Sequence, residues 1–234
     1  MSVVEERSPR KAIRLSNRGF IYKRVKKYDK AEVMFTKSLE IEKRALGNEH
    51  PDVAIALNNL GMLYFDMKEY KKSEPLYKMA LEIAEKSLGK EDPTIATYLN
   101  NMGALYSVQE MYSEAEPLLN RALKIHKTIL GEGNPDVATD LNNLGSLYFN
   151  QGNYEEAEAL YKEALEIDEK ALGKSHLDIA IRLSNLGLLY EKQGKFDEAV
   201  QYLRRAQKIY EKSSAIPEEV ERIENMITHI KKNE

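Results

Sequence analysis

Apolar residues recur along the chain at steps of three and four positions, in paired stripes that repeat every 42 residues. One stripe follows a helical face between Val53 and Met67, and a second runs from Tyr70 to Leu88. Each unit is therefore predicted to contain a first helix and a second helix, both amphipathic. The units predicted in this way span about residues 9–48, 51–90, 93–132, 135–174 and 177–213.

A glycine stands in the middle of every predicted first helix, at Gly19, Gly61, Gly103, Gly145 and Gly187. Glycine inside a helix costs about 1 kcal/mol relative to alanine, so five occurrences at one register require a compensating contact. We expect the second helix to approach closely there through a row of small residues, namely Ser38, Ala80, Ala122, Ala164 and Ala206. The unbroken period predicts a single repeat-array domain over residues 1–234.

The ends of the predicted helices have their own signals. A glycine follows each of the first four second helices, where a left-handed conformation would close the helix. Asp92 and Asn134 precede first helices and should accept hydrogen bonds from the first free amides. His50 and His176 occupy the same register, so capping explains them better than catalysis does. After the last unit, residues 217–232 predict a capping helix with one apolar side: Val220, Ile223, Met226, Ile227 and Ile230.

The marker residues resemble those of the tetratricopeptide repeat (TPR). The matching register in the second unit consists of Leu60, Gly61, Tyr64, Ser73, Tyr77 and Ala80. The usual TPR unit has about 34 residues, whereas this one has 42, and its Asn-Asn-Leu and Glu-Pro-Leu-Tyr segments are similar to the repeats of kinesin light chains and their prokaryotic relatives. The resemblance implies an all-α fold, a right-handed superhelix (TPR solenoid) of five helix-turn-helix repeats with a C-terminal capping helix. It also implies that the first helices line a concave groove.

Composition narrows the function. The net charge of −3 gives no reason to expect nucleic acid binding, and the absence of cysteine excludes disulfides and thiolate metal sites. No run of 18 apolar residues exists, so we expect no membrane span and a cytoplasmic location. No arrangement of nucleophile, base and acid, no metal-ligand spacing and no phosphate-binding loop is present, so we expect neither an enzyme nor a cofactor.

The implied groove predicts a peptide-binding site on the first helices. Asparagine at one register could hold the backbone of an extended peptide through its amide, and the members of this row are Asn17, Asn59, Asn101, Asn143 and Asn185. Neighbouring apolar side chains could receive ligand side chains: Phe20, Met62, Phe65, Val108, Phe149 and Leu188. The alternative is that the asparagines bond adjacent helices and hold the repeat spacing, and both roles are compatible.

Charge suggests a ligand preference and a rival function. Residues 1–30 carry ten lysines and arginines against three acidic residues, and within them Lys23 and Arg24 could meet acidic groups of a ligand. The main hypothesis is therefore a non-enzymatic scaffold or adaptor that binds a peptide segment of a partner protein. The alternative is a self-associating structural scaffold, monomeric or weakly associating in solution, because the opposite charges of the two ends would suit head-to-tail contact. A further alternative is a TPR segment of a larger regulatory protein.

Overall fold

The computed structural model describes residues 9–213 and 217–233, which form eleven α-helices and no strand. The chain divides into two compact units, residues 1–109 and 110–234. The first unit contains α1 (Pro9–Arg24), α2 (Tyr28–Leu46), α3 (Pro51–Asp66), α4 (Tyr70–Leu88) and α5 (Pro93–Val108). The second contains α6 (Tyr112–Leu130), α7 (Pro135–Gln151), α8 (Tyr154–Leu172), α9 (Leu177–Lys192), α10 (Phe196–Ser213) and α11 (Pro217–Asn233). The all-α repeat architecture predicted from the sequence is confirmed, and the single continuous domain stays a prediction.

Four of the five mid-helix glycines each make room for one large side chain of the paired helix. A Cβ atom built on Gly61 would lie 2.7 Å from two ring atoms of Tyr77, far inside van der Waals contact. Phe35, Tyr161 and Leu203 occupy the same position opposite Gly19, Gly145 and Gly187. The expectation that the row of small residues forms this contact was wrong, because the nearest neighbours of the glycines lie elsewhere on the second helix. The ring of Tyr77 is itself buried, so it cannot swing away.

A tyrosine hydroxyl links each repeat to the one before it. The donor lies on a first helix and the acceptor is a glutamate 32 residues earlier, on the preceding second helix. The pairs are Tyr64 to Glu32 at 2.6 Å, Tyr106 to Glu74 at 3.2 Å, Tyr148 to Glu116 at 2.9 Å and Tyr190 to Glu158 at 2.8 Å. Burial and the hydrogen bond to Glu32 raise the pKa of Tyr64 to about 12, so the phenol keeps its proton and donates. In the last repeat the acceptor register holds Val200, which packs against the core instead.

The predicted caps at the starts of the first helices are confirmed, whereas the left-handed glycine caps predicted after the second helices are not. The side chains of His50, Asp92, Asn134 and His176 each accept a hydrogen bond from the amide two residues later, over 2.8 to 3.3 Å. The glycines that follow the second helices have positive φ as expected, but their ψ near 160° is extended rather than left-handed. That region of backbone space is open essentially to glycine alone. It carries the chain straight into the next first helix instead of closing the old one with a left-handed turn.

Helix α11 covers the last repeat. Its predicted apolar side is confirmed, because Ile223, Ile227 and Ile230 are buried and Val220 and Met226 pack against the same core as α9 and α10. Acidic residues occupy the first turn and lysines the last, which complements the helix dipole. Across the described residues, no helix combines the length and apolar composition needed to cross a bilayer.

The contact between glycine and ring generates a stability prediction. Replacing Gly61 with alanine adds helix propensity worth about 1 kcal/mol, but the new methyl collides with Tyr77, and overpacking of this kind costs about 1–3 kcal/mol. We expect G61A to lower the free energy of unfolding by about 1 kcal/mol, measured by urea denaturation. G133A is the matched control, because a Cβ at Gly133 meets no atom within 4 Å. Equal stability of G61A and the parent chain would contradict this packing.

Candidate functional site

The first helices lie side by side within each unit: α1 contacts α3 and α3 contacts α5, and in the second unit α7 contacts α9. We call their shared surface the first-helix face. Its members include Ile13, Asn17, Phe20, Ile55 and Asn59. Their spacing places them on the side of each first helix away from the glycine contact. The face is the one predicted from sequence as the wall of a groove.

The asparagine row holds adjacent first helices together. Three members of the row each donate one amide hydrogen to a polar side chain 43 residues earlier, on the preceding repeat. The bonds run from Asn59 to Ser16 (3.3 Å), from Asn101 to Asn58 (2.9 Å) and from Asn185 to Asn142 (2.7 Å). The acceptors Asn58 and Asn142 are buried, whereas Asn59, Asn101, Asn143 and Asn185 remain partly exposed and Asn17 is exposed. The structural reading of the row therefore holds for three members, and part of each side chain still faces outward.

The predicted apolar residues fall into two groups. Phe20 and Val108 are exposed, and the ring of Phe20 meets Phe35 edge-on with 5.1 Å between centroids. Phe65 and Phe149 are partly buried, each against the tyrosine that begins the next helix, and Met62 and Leu188 are also partly buried. The most exposed apolar members of the face are Ile13 and Ile55, at 57% and 47%. They share the face with the predicted site residues.

The predicted basic pair is divided by the fold. Lys23 forms an ion pair with Asp66 of the next repeat, with 2.7 Å between Nζ and Oδ2. A ligand carboxylate would have to compete with Asp66 for this charge. Arg24 is exposed at the C-terminal end of α1. The two residues predicted to act together are therefore not equivalent, since one is already engaged within the protein.

A cavity of about 400 Å³ opens on the first-helix face of the first unit. Its walls are formed by residues of α1 and α3 and by Glu42 of α2. The lining residues are Pro9, Ile13, Ser16, Asn17, Phe20, Glu42, Asp52, Ile55, Ala56 and Asn59. The predicted site residues Asn17, Phe20 and Asn59 are thus brought together around one space. A cavity of about 410 Å³ exists at the related position of the second unit, where Asn185 and Ile181 of α9 face α11.

Glu42 was missed by sequence reasoning and is the most unusual group in the cavity. It is 8% exposed, and its Oε2 atom has no hydrogen-bond partner among the described residues. Burial first, and then the nearby negative charge of Asp52, raise the pKa of Glu42 to about 7. The carboxyl group is therefore partly protonated near neutral pH. The available signal was its register on the second helix, which elsewhere in the chain carries alanine, histidine, aspartate or tyrosine.

His126 is paired with an aspartate inside the protein. Its Nδ1 atom lies 2.8 Å from Oδ2 of Asp140, and both side chains are buried. The pair joins α6 to α7 and so belongs to a repeat interface. It gives no catalytic arrangement, since its surroundings are core residues rather than an open site.

Taken together, the helix pairs, the tyrosine links and the open first-helix face define a helical repeat protein. The chain belongs to the tetratricopeptide repeat family: the family pattern matches residues 12–86, 52–128, 94–170 and 136–212. The resemblance drawn from the marker residues is thereby confirmed. No curated protein sequence matches the chain significantly.

Solved structures share the fold at low sequence identity. BtubC (BKLC) from P. vanneervenii is 24% identical, with 89% of each chain covered and a TM-score of 0.67. The kinesin light chain TPR-like repeats of Podosopora anserina are 20% identical, with 88% of this chain and 98% of that chain covered and a TM-score of 0.66. A Rap protein complexed with competence and sporulation factor is 21% identical, with 84% of this chain covered and a TM-score of 0.74. This chain spans 52% of that Rap protein.

The raised pKa of Glu42 predicts a pH-dependent stability difference. Because the folded state favours the protonated form, Glu42 destabilises the fold progressively as the pH rises from about 4.5 to about 7. We expect E42Q to match the parent chain near pH 4 and to exceed it by about 2–3 kcal/mol at pH 8, in free energies of unfolding from urea titrations. E40Q, on the exposed side of the same helix, should show no such growing difference. A constant gap between E42Q and the parent chain across this range would refute the assignment.

Proposed function

We propose that this chain is a non-enzymatic scaffold that binds a segment of a partner protein on its first-helix face. The observation that carries the proposal lies on the first-helix face of the first unit, where exposed apolar residues, the asparagines Asn17 and Asn59 and an open cavity occur together. Contiguous apolar surface rimmed by polar groups is typical of a protein-binding site. The family supports the coarser statement, because TPR proteins in general serve as protein-interaction scaffolds.

The proposed contacts follow from the chemistry of each position. The outward parts of Asn17, Asn59, Asn101, Asn143 and Asn185 would hold the main chain of an extended segment. The apolar members would pack on its side chains, and they comprise Phe20, Met62, Phe65, Val108, Phe149 and Leu188, joined by Ile13 and Ile55. Among the solved structures of similar fold, the Rap protein was determined in complex with competence and sporulation factor. A bound ligand on a related fold supports the same use of this chain.

The ligand's charge preference is a separate part of the proposal. Arg24 is exposed beyond Phe20 on α1, so an acidic ligand group would be placed near the C-terminal end of this helix. Lys23 contributes less, because it is paired with Asp66. We also propose that residues 1–234 work as one domain and that the protein acts in the cytoplasm.

A matched pair of surface substitutions tests the binding face. Ile55 on α3 and Val33 on α2 have the same exposure, 47%, but only Ile55 belongs to the first-helix face. We expect I55D to reduce capture of partner proteins from the source lysate by at least tenfold, since an aspartate would meet apolar ligand groups. V33D should capture the same partners as the parent chain. Equal capture by all three proteins, each shown to be folded by circular dichroism, would reject the face as the binding surface.

Self-association has support from a different observation. Ile21 in the first repeat is 62% exposed. In each of the four later repeats the same register holds a fully buried leucine: Leu63, Leu105, Leu147 and Leu189. An apolar side chain that neighbouring repeats cover elsewhere is thus open at the first repeat, and a second copy could cover it.

The association hypothesis predicts a concentration-dependent mass. Sedimentation velocity of the chain should show dimers or larger species as the protein concentration rises, and I21K should restore the monomer because it places a charge in the contact. I55D leaves this end of the array unchanged and should associate like the parent chain. A parent chain that stays monomeric at high concentration would exclude this second function.

A further inference from the structure

The cavity of the first unit occupies a repeat interface that another interface fills with an arginine. In the second unit Arg182 of α9 is buried against Asp168 of α8, and its Nε atom donates to Oδ2 over 3.1 Å. Its Nη2 atom also donates to Oγ1 of Thr139 on α7 over 2.9 Å. Arginine, aspartate and threonine thus form a polar contact between three helices, in which Oδ1 of Asp168 has no hydrogen-bond partner among the described residues.

The same three registers, three periods earlier, are occupied by Ala56, Glu42 and Ile13. The acid is retained, but alanine replaces the arginine and isoleucine replaces the threonine. All three residues line the cavity of about 400 Å³. The open space therefore lies where the corresponding interface holds a guanidinium group and its stem, and its volume is that of a small ligand pocket.

The remaining interfaces do not leave this acid unpaired. Between the second and third repeats, the registers of Glu42 and Ala56 hold Ala84, a small residue, and Tyr98, a large buried one. Neither of these two residues is acidic. His126 and Asp140 occupy the same registers between the third and fourth repeats, at 2.8 Å from each other. Only the first interface combines a buried carboxyl group with alanine at the opposite register.

Glu42 has no charged partner within the described part of the chain. Among residues 9–213 and 217–233, its Oε2 atom finds no hydrogen-bond partner, and only 8% of the residue is exposed. A buried carboxylate without a partner is costly, and a cation brought to it gains much more than at the surface. Asp52, which also lines the cavity, adds to the negative potential.

We propose that this cavity binds an arginine side chain of the partner segment, an inference that rests on the function proposed above. Glu42 would receive the guanidinium group, and Asp52 would add a second anionic acceptor. Arginine carries five N–H donors in a planar fork, and the oxygens of Ser16, Asn17 and Asn59 line the same space. The methylene stem would pack on Ile13, Phe20 and Ile55, as arginine stems do on apolar surfaces.

Direct binding of a defined peptide tests the inference. The ligands are acetyl-Ala-Ala-Arg-Ala-Ala-amide and its citrulline analogue, which has nearly the same shape and no charge. Binding to the full chain is followed by NMR of methyl-labelled Ile13, Ile55 and Ala56. We expect the arginine peptide to shift these signals and to bind at least tenfold more tightly than the citrulline peptide, and E42Q to lose that difference. Equal affinity of both peptides, or shifts confined to other residues, would overturn the proposal.

A second variant fills the cavity from within. A56R places an arginine at the register of Arg182, facing Glu42. We expect a higher melting temperature than in A56M, a size control without charge, and no remaining binding of the arginine peptide. An A56R protein that still binds the peptide like the parent chain would contradict the proposed position. If A56R does not fold, the peptide-binding experiment alone tests the proposal, through the affinities of the parent chain and E42Q for the arginine and citrulline peptides.

The source of the arginine needs its own comparison, because the chain itself carries Arg7 outside the described residues. If the cavity receives an arginine from a partner protein, R7A should bind the arginine peptide as the parent chain does. Binding that appears only in R7A would overturn the assignment to a partner. The two proposals separate in the capture experiment: loss of partner with I55D but not with E42Q rejects the arginine site alone, whereas retention with I55D rejects the binding face.

Discussion

The contact between a mid-helix glycine and a large side chain of the paired helix sets the geometry of each repeat. Gly61 lacks the atom that would collide with Tyr77, so α3 and α4 can approach over the full width of the ring. Everything else on α3 is oriented by this contact. Tyr64, one turn further along α3, reaches the preceding repeat, and Asn59 and Ile55 are turned to the opposite side. The first-helix face stays open because the other side of each first helix is committed to packing.

The interfaces between repeats share one geometry but differ in chemistry. The tyrosine and glutamate pairs recur at every interface within the two units, and the asparagine bonds recur along the first-helix face. One buried pair of positions varies instead, with one member on a second helix and the other on the next first helix. It holds Glu42 with Ala56 in one interface and Asp168 with Arg182 in another. Constant contacts keep the spacing, so the variable register is free to be filled, charged or left open. A cavity in one interface therefore does not disturb the others.

Local chemistry let the sequence predict most of the fold. Helix bounds, the caps at His50 and Asp92 and the apolar side of α11 all depend on residues close in sequence, and each was confirmed. The partner of Gly61 was mispredicted because periodicity shows that a close contact exists but not which of several second-helix residues meets it. For the asparagine row, the sequence allowed both ligand binding and bonding between helices. The bond from Asn101 to Asn58 depends on how adjacent repeats pack, which the sequence pattern does not give. Glu42 was missed since its isolation depends on Ala56, fourteen residues away on another helix.

The fifth repeat has Val200 where the other repeats have the glutamate that accepts the tyrosine hydrogen bond. This difference affects how such an array can change in length. An internal repeat carries both a tyrosine donor and a glutamate acceptor, so a duplicated copy inserted among its neighbours would satisfy every hydroxyl. A copy added after the fifth repeat would place its tyrosine against Val200, and a buried phenol without an acceptor is costly. Gene duplication can therefore lengthen this array from its interior at little cost in stability, whereas growth at the C-terminal end requires a compensating change at position 200.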